Sequence, residues 1–126
     1  LQTNDIARIY PDGSFTILGR KDNVINSGGI KVQAEEIERL LQSSIPVPFV
    51  ITSVPDRRLG QAVTLLIEGQ MEISALGTKL ESVLASYYRP KYIYTVNHIP
   101  QTGNGKINRK ECRVLAESLQ LLGRQE

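Results

Sequence analysis

The sequence predicts an α+β domain: a small antiparallel sheet of about three strands flanked by helices, with short hairpins near the N-terminus. Three observations predict it. Two β-branched runs, residues 47–54 and 62–68, are separated by a charged loop and can pair as antiparallel strands. Apolar residues recur at the helical period in three other stretches. Two turn signals, Pro11-Asp12-Gly13-Ser14 and Ser27-Gly28-Gly29, each sit between short apolar segments.

In chain order, Arg8-Ile9-Tyr10 and Phe15-Thr16-Ile17-Leu18 flank the first turn. Proline fixes φ there, and Asp-Gly supplies a residue free to take positive φ. Gly19-Arg20-Lys21-Asp22-Asn23 follows. It is polar, alternates in charge and reads as an interdomain linker with few packing contacts. Val24-Ile25-Asn26 and Ile30-Lys31-Val32 bracket the second turn. Residues 33–43 carry Ala34, Ile37, Leu40 and Leu41 at helical spacing. Glu35, Glu36 and Glu38 lie early in that helix, where its dipole favours anions, and are expected to be a solvated helix start. Ser74 is expected to cap a helix running through Tyr87, with Leu76, Leu80, Val83 and Leu84 as its apolar stripe. Arg89-Pro90 ends that pattern. Tyr92-Ile93-Tyr94-Thr95-Val96 is the third strand. A last helix bears Cys112, Leu115, Ala116 and Leu119 and is expected to fray near Gly123.

Composition narrows the function. A length of 126 residues fits one domain or slightly more. The net charge of +2 is mildly basic, short of the concentrated face of a nucleic-acid binder, and suits an anionic small molecule equally well. The single cysteine, Cys112, excludes an internal disulfide framework and fits a reducing, cytoplasmic compartment. It falls on the apolar side of the last helix and reads as a small core residue. No apolar run approaches membrane-spanning length. Leu1 and Thr3-Asn4-Asp5-Ile6 read as mid-chain, so a piece of a larger protein is expected. His98 has no acid or nucleophile beside it in sequence and reads as structural or exposed.

The stretch most suggestive of chemistry is Pro100-Gln101-Thr102-Gly103-Asn104-Gly105-Lys106-Ile107-Asn108-Arg109. Glycines let a backbone approach a ligand, and a lysine at such a tip delivers a point charge to a phosphate or carboxylate. It is not a phosphate-binding P-loop, which needs Gly at Pro100 and Ser or Thr at Ile107. Alone it reads first as a surface turn with a solvated lysine.

Together with Gly19-Arg20-Lys21-Asp22-Asn23-Val24-Ile25, then Gly29, then Glu36-Ile37-Glu38, that stretch resembles the C-terminal domain of adenylate-forming enzymes. This superfamily holds acyl- and aryl-CoA synthetases, adenylation domains of peptide synthetases, and luciferases. The resemblance covers essentially the whole chain. It implies that residues 1–21 are the end of a large N-terminal domain plus a hinge linker, and that residues 22–126 are a mobile lid. It implies a two-step ligase. A small carboxylic acid attacks the α-phosphate of ATP, giving an acyl-adenylate and pyrophosphate; the thiol of CoA then displaces AMP.

By position, the resemblance makes Lys106 the catalytic lysine of adenylation. Asp5 and Arg20 become contacts to the nucleotide ribose, although the family more often has Gly where Asn4 stands. Asp22 becomes the hinge, Gly29 a border of the pantetheine tunnel, and Lys31 a contact to a CoA phosphate. Gln61 stands where the family often has Glu. ATP with Mg²⁺ and CoA are implied as substrates of the whole enzyme, none held tightly by this chain. No metal ligands are expected here, because Mg²⁺ serves ATP mainly through the N-terminal catalytic domain, the implied partner. Ser27-Gly28-Gly29 resembles both o-succinylbenzoate–CoA ligases of menaquinone biosynthesis and medium-chain acyl-CoA ligases, with the first favoured. A peptide-synthetase lid, a free-standing anion-binding module using Lys106 and Arg109, and an interaction domain are the alternatives. Neither a nucleic acid nor a membrane is an expected partner.

Overall fold

The computed structural model describes residues 4–125; Leu1, Gln2, Thr3 and Glu126 lie outside the described residues, and with them part of the Thr3-Asn4-Asp5 reading. The α+β class holds. Strands β1 (Asp5–Ile9) and β2 (Phe15–Arg20) pair antiparallel as a separate ribbon, as the first turn signal predicts. A short 3₁₀ turn, Lys21–Asn23, leads into the main sheet.

That sheet has five strands rather than about three. Strands β3 (Val24–Ser27) and β4 (Ile30–Gln33) form the second hairpin. Strands β5 (Phe49–Asp56) and β6 (Gly60–Glu68) pair antiparallel along their whole length, from Phe49↔Ile67 to Asp56↔Gly60. On its other edge β6 meets β3 at Ser27↔Gly60, and further along β7 (Tyr92–Val96). The β6–β7 pair is parallel, so the sheet is mixed and not purely antiparallel. The reason is the connection: a helix intervenes, and a crossover of that length returns the chain in the same direction.

Helices α1 (Ala34–Leu41) and α2 (Ile73–Val83) cover one face of the sheet. Ile37, Leu41, Leu76, Leu80 and Leu84 pack there against Ile51, Leu65 and Ile67. Helix α3 (Arg109–Gln125) covers the other face, where Cys112 and Ala116 meet Val50, Val54, Ala62 and Leu66. The alternation of Leu65 and Ile67 with Ala62 and Leu66 is the strand period dividing one strand between two cores. Each fully buried Leu or Ile contributes roughly 1.5–3 kcal/mol.

Several expectations need correction. Leu40 and Val83 are exposed, because α1 and α2 turn their seams to Ile37/Leu41 and Leu76/Leu80. Glu72, not Ser74, is the residue before α2, and the Ser74 hydroxyl donates to the Glu72 carboxylate instead of to a backbone amide. Helix α2 stops at Val83, where Leu84 turns extended; Ser86–Tyr88 form a separate 3₁₀ turn. Helix α3 continues through Gly123 to Gln125.

Candidate functional site

Residues from three parts of the chain line one open cleft: Arg20, Asp22 and Asn23 from the linker, Glu35 from α1, and Ile107, Arg109 and Arg113 from the glycine loop and α3. The fold therefore brings the Gly19–Asn23 stretch and the 100–109 stretch together, although more than seventy residues separate them in sequence.

The glycine loop is tightly built. The Thr102 N–H donates to the Lys106 carbonyl at 2.7 Å, and the Gly105 N–H to the Thr102 carbonyl at 3.0 Å. Gln101 and Ile107 bridge across the base. The Asn108 side-chain oxygen accepts the Glu111 N–H at 3.1 Å, capping the first turn of α3. Lys106 leaves this frame exposed, one residue before the cleft wall. Arg109 does not behave like a free anion site. Its guanidinium grips Glu38 with two bonds, at 2.7 and 3.0 Å, and Glu38 also accepts the Ile51 N–H at 2.9 Å. Burial works against the Arg109 charge, and the hydrogen bonds and charge of Glu38 more than restore it. An anion-binding module built on Arg109 would first have to break that fork.

The Gly19–Asn23 stretch is held, not loose. Glu35 accepts the Arg20 N–H at 2.8 Å and the Asn23 side-chain amide at 2.9 Å. Gln33 donates to the Arg20 carbonyl and to Glu35, both at 2.8 Å. Burial alone would raise the Glu35 carboxyl, but the bonds from Gln33, Asn23 and Arg20 outweigh it and hold it below its ordinary range. Gly19 makes this clamp possible: a Cβ there would run into the Glu35 carboxyl and the Gln33 amide. Glu36 pairs with Arg8 at 3.3 Å and accepts from the Tyr88 hydroxyl at 3.1 Å. The solvated helix start is thus overturned: all three glutamates have partners far away in sequence, which helical spacing cannot reveal.

Asp5 and Arg20 face each other across the ribbon, with 4.0 Å between charged atoms. Asp22 is exposed. Gly29 and Lys31 lie elsewhere, on the β3–β4 hairpin. Beside it is a second hollow lined by Ser27, Gly28, Leu59, Tyr87, Arg89 and Lys91; Ile30 lines it, and neither Gly29 nor Lys31 does. Gly28 and Gly29 have φ of 61° and 87°, a backbone that favours glycine. A Cβ on Gly29 would meet nothing within 4 Å, so within this chain the turn explains that glycine by itself.

Sequence reasoning missed one further constellation. Asp56, at the end of β5, accepts from Lys91 Nζ at 2.6 Å and from the Arg58 and Leu59 N–H groups at 2.9 Å each. These bonds, that of Lys91 first, hold its carboxyl at about 2. An aspartate opening a charged loop that ends in glycine is the available signal, a turn closed by its own side chain. His98 is 90% exposed, 3.8 Å from Glu68. Gln61 accepts the Asn26 N–H at 2.8 Å. Cys112 is a buried core residue, and burial pushes its thiol up to about 11. Among the described residues no group of three or more His, Cys, Asp or Glu side chains could hold a metal ion. Among them, no helix is long and apolar enough to cross a membrane.

No family model matches the chain. It is 38% identical over 122 residues to triostin synthetase I of Streptomyces triostinicus, covering 93% of this chain and 23% of that protein. It is 33% identical over 113 residues to 2-succinylbenzoate–CoA ligase of Lactococcus lactis, covering 89% of this chain and 25% of that one. Among solved structures, an AMP-forming acyl-CoA synthetase/AMP-acid ligase II-like protein of Dyadobacter fermentans superposes with a TM-score of 0.68 at 32% identity, covering 89% of this chain and 34% of that chain. The chain thus spans about a quarter of the length of these two curated relatives.

Proposed function

The chain belongs to the superfamily of AMP-forming acyl- and aryl-CoA ligases, as a C-terminal domain, and on that premise we propose that it is the moving lid of a carboxylate–CoA ligase. One observation carries the reading. The hinge stretch and the Lys106 loop share one cleft, while the Gly29 turn borders a different hollow. A lid that presents different faces in two successive steps needs such a division.

In this reading residues 1–21 close the large catalytic domain and provide the hinge, and residues 22–126 turn about Asp22. In the first orientation Lys106 reaches the α-phosphate of ATP as the substrate carboxylate attacks. A fixed cation stabilises the charge that builds on the phosphorus oxygens in the transition state. Asp5 and Arg20 contact the ribose. In the second orientation the Gly29 turn borders the path of the pantetheine thiol, with Lys31 near a CoA phosphate. The thiol sulfur bonds to the acyl carbon and AMP leaves. Mg²⁺ accompanies ATP on the large domain. The setting is the cytoplasm, and this chain alone does not catalyse.

The acid proposed first is o-succinylbenzoate, supported by the Lactococcus relative; the likeness of Ser27-Gly28-Gly29 is shared with medium-chain acyl-CoA ligases. A second reading, a lid working in a peptide synthetase with a carrier-protein thiol as acceptor, is favoured by the 38% identity to triostin synthetase I. The test is ATP–pyrophosphate exchange by the intact protein with o-succinylbenzoate, medium-chain acids, aryl acids and amino acids in turn. Exchange dependent on an aryl or acyl acid, followed by thioester formation with free CoA, supports the first reading. Amino-acid-dependent exchange without use of free CoA replaces it with the second. No exchange with any acid, or robust exchange by the 126-residue chain alone, overturns the lid assignment.

A further inference from the structure

Asp56 stands outside the Lys106 cleft and has no part in the mechanism above. We propose that Asp56, held by Lys91, is a positioning residue that sets the Ser27-Gly28-Gly29 turn for the thioester-forming step. The inference rests on the reading of that turn as a border of the thiol path.

The chain of contacts is continuous. The Asp56 side chain is 4% exposed, and both of its oxygens are used. Oδ1 accepts the Arg58 and Leu59 N–H groups, and Oδ2 accepts from Lys91. Those bonds fix the direction of the Leu59 backbone. The Leu59 carbonyl in turn accepts the Gly28 N–H at 2.9 Å, and Leu59 Cδ2 lies 3.1 Å from where a Cβ on Gly28 would sit. Next to it, Ser27 pairs with Gly60, and the Asn26 N–H donates to Gln61. The hairpin tip therefore rests on residues 59–61, and Asp56 shapes that support. Lys91 is itself anchored: its N–H donates to the Val63 carbonyl at 2.8 Å, and its ammonium lies 5.6 Å from the Tyr92 ring centre.

A carboxylate serving stability alone would affect both half-reactions through the folded fraction. A positioning role separates them, because none of the hydrogen-bond partners of Asp56 lines the cleft beside Lys106. The experiment compares Asp56→Ala, Asp56→Asn and Lys91→Met in the full-length protein by amide exchange at Gly28 and by single-turnover kinetics of each half-reaction. For Asp56→Ala, exchange at Gly28 should quicken about tenfold as the Leu59 carbonyl loses its orientation. Thioester formation should slow about 10- to 100-fold while adenylation stays within about twofold, the loss expected for a misplaced group. Asp56→Asn retains an oxygen for both N–H groups and should recover most of the rate. Lys91→Met leaves those bonds and should shift both readouts less, in the same direction; it decides the matter if Asp56→Ala does not fold. Unchanged Gly28 exchange, equal losses in both half-reactions, or Asp56→Asn as impaired as Asp56→Ala would overturn the proposal. If the unaltered protein forms neither adenylate nor thioester, the functional reading falls and the thioester role with it. Gly28 exchange then decides alone whether Asp56 sets the turn.

Discussion

Gly19→Ala isolates the clamp that Glu35 and Gln33 form on Arg20 and Asn23. The position lies in β2 and no positive φ forces glycine there, so alanine can adopt the backbone. The obstacle is contact: its Cβ would sit 2.6 Å from Gln33 Nε2 and against the Glu35 carboxyl. Both are ends of flexible side chains and can swing away, but only by giving up bonds. Four are at stake: Arg20 N–H and the Asn23 amide to Glu35, and Gln33 to the Arg20 carbonyl and to Glu35. These groups are partly solvated, so each is assigned the low end of the net range, about 0.5 kcal/mol, or about 2 kcal/mol together. Alanine returns about 0.4–1 kcal/mol by restricting the unfolded chain. The net destabilisation should be about 1–1.5 kcal/mol by the same accounting. Urea unfolding of the 126-residue chain measures it. In a Glu35→Ala, Gln33→Ala background only the unfolded-chain gain remains, so the same substitution should stabilise by about 0.4–1 kcal/mol. Because the folded-state Glu35 carboxyl lies below its ordinary 4.5, its share of the stability is present above that pH and lost as pH falls through the lowered value. A neutral Gly19→Ala, or an equal cost in both backgrounds, would refute the clamp.

Asp56 gives an acid prediction. Its folded carboxyl titrates at about 2 against an ordinary 3.8, so its contribution is complete above about pH 4 and disappears toward pH 2. Asp56→Asn should flatten the unfolding midpoint against pH in that window; an unchanged curve contradicts the assignment. Gly29→Asn tolerates positive φ better than Gly29→Leu. If Gly29 borders the thiol path, both should impair thioester formation and spare adenylation in the intact protein; if only Leu does, through lost stability, the glycine serves the turn alone. Asp22→Pro fixes φ and disfavours helical φ/ψ at Lys21, so it should hold the lid near one orientation. Adenylation should survive and thioester formation fall; a wild-type full cycle means the rotation does not pivot at Asp22.

The hairpins, the β5–β6 pair and the three helices were legible because local signals carry them: turn chemistry at Gly13 and Gly28-Gly29, β-branched runs, and apolar residues at helical spacing. The direction of β7 was not. Tyr92-Ile93-Tyr94 announces a strand, but only the crossover through α2 makes it parallel. The acidic start of α1 misled for a related reason. Glu38 meets Arg109 across 71 residues, and Glu36 meets Tyr88 across 52, distances that no periodicity spans. Only the expectation of few contacts in residues 19–23 failed: Gln33 and Glu35 bond to the Arg20 backbone and the Asn23 side chain, an anchoring that polar composition does not announce. At the site, the two motifs were legible as separate pieces; their shared cleft is a product of the fold.

The most direct measurement is Lys106→Ala in the intact protein, with each half-reaction followed in single turnovers and preformed acyl-adenylate supplied for the second. Lys106 is exposed beside the cleft lined by Arg20, Asp22 and Ile107, and the Ser27-Gly28-Gly29 turn borders a different hollow. The lid account predicts that adenylation falls by roughly 10²–10³, the loss typical of one transition-state electrostatic contact, while thioester formation from the adenylate stays within a few-fold. Equal losses in both half-reactions of a folded protein would contradict it.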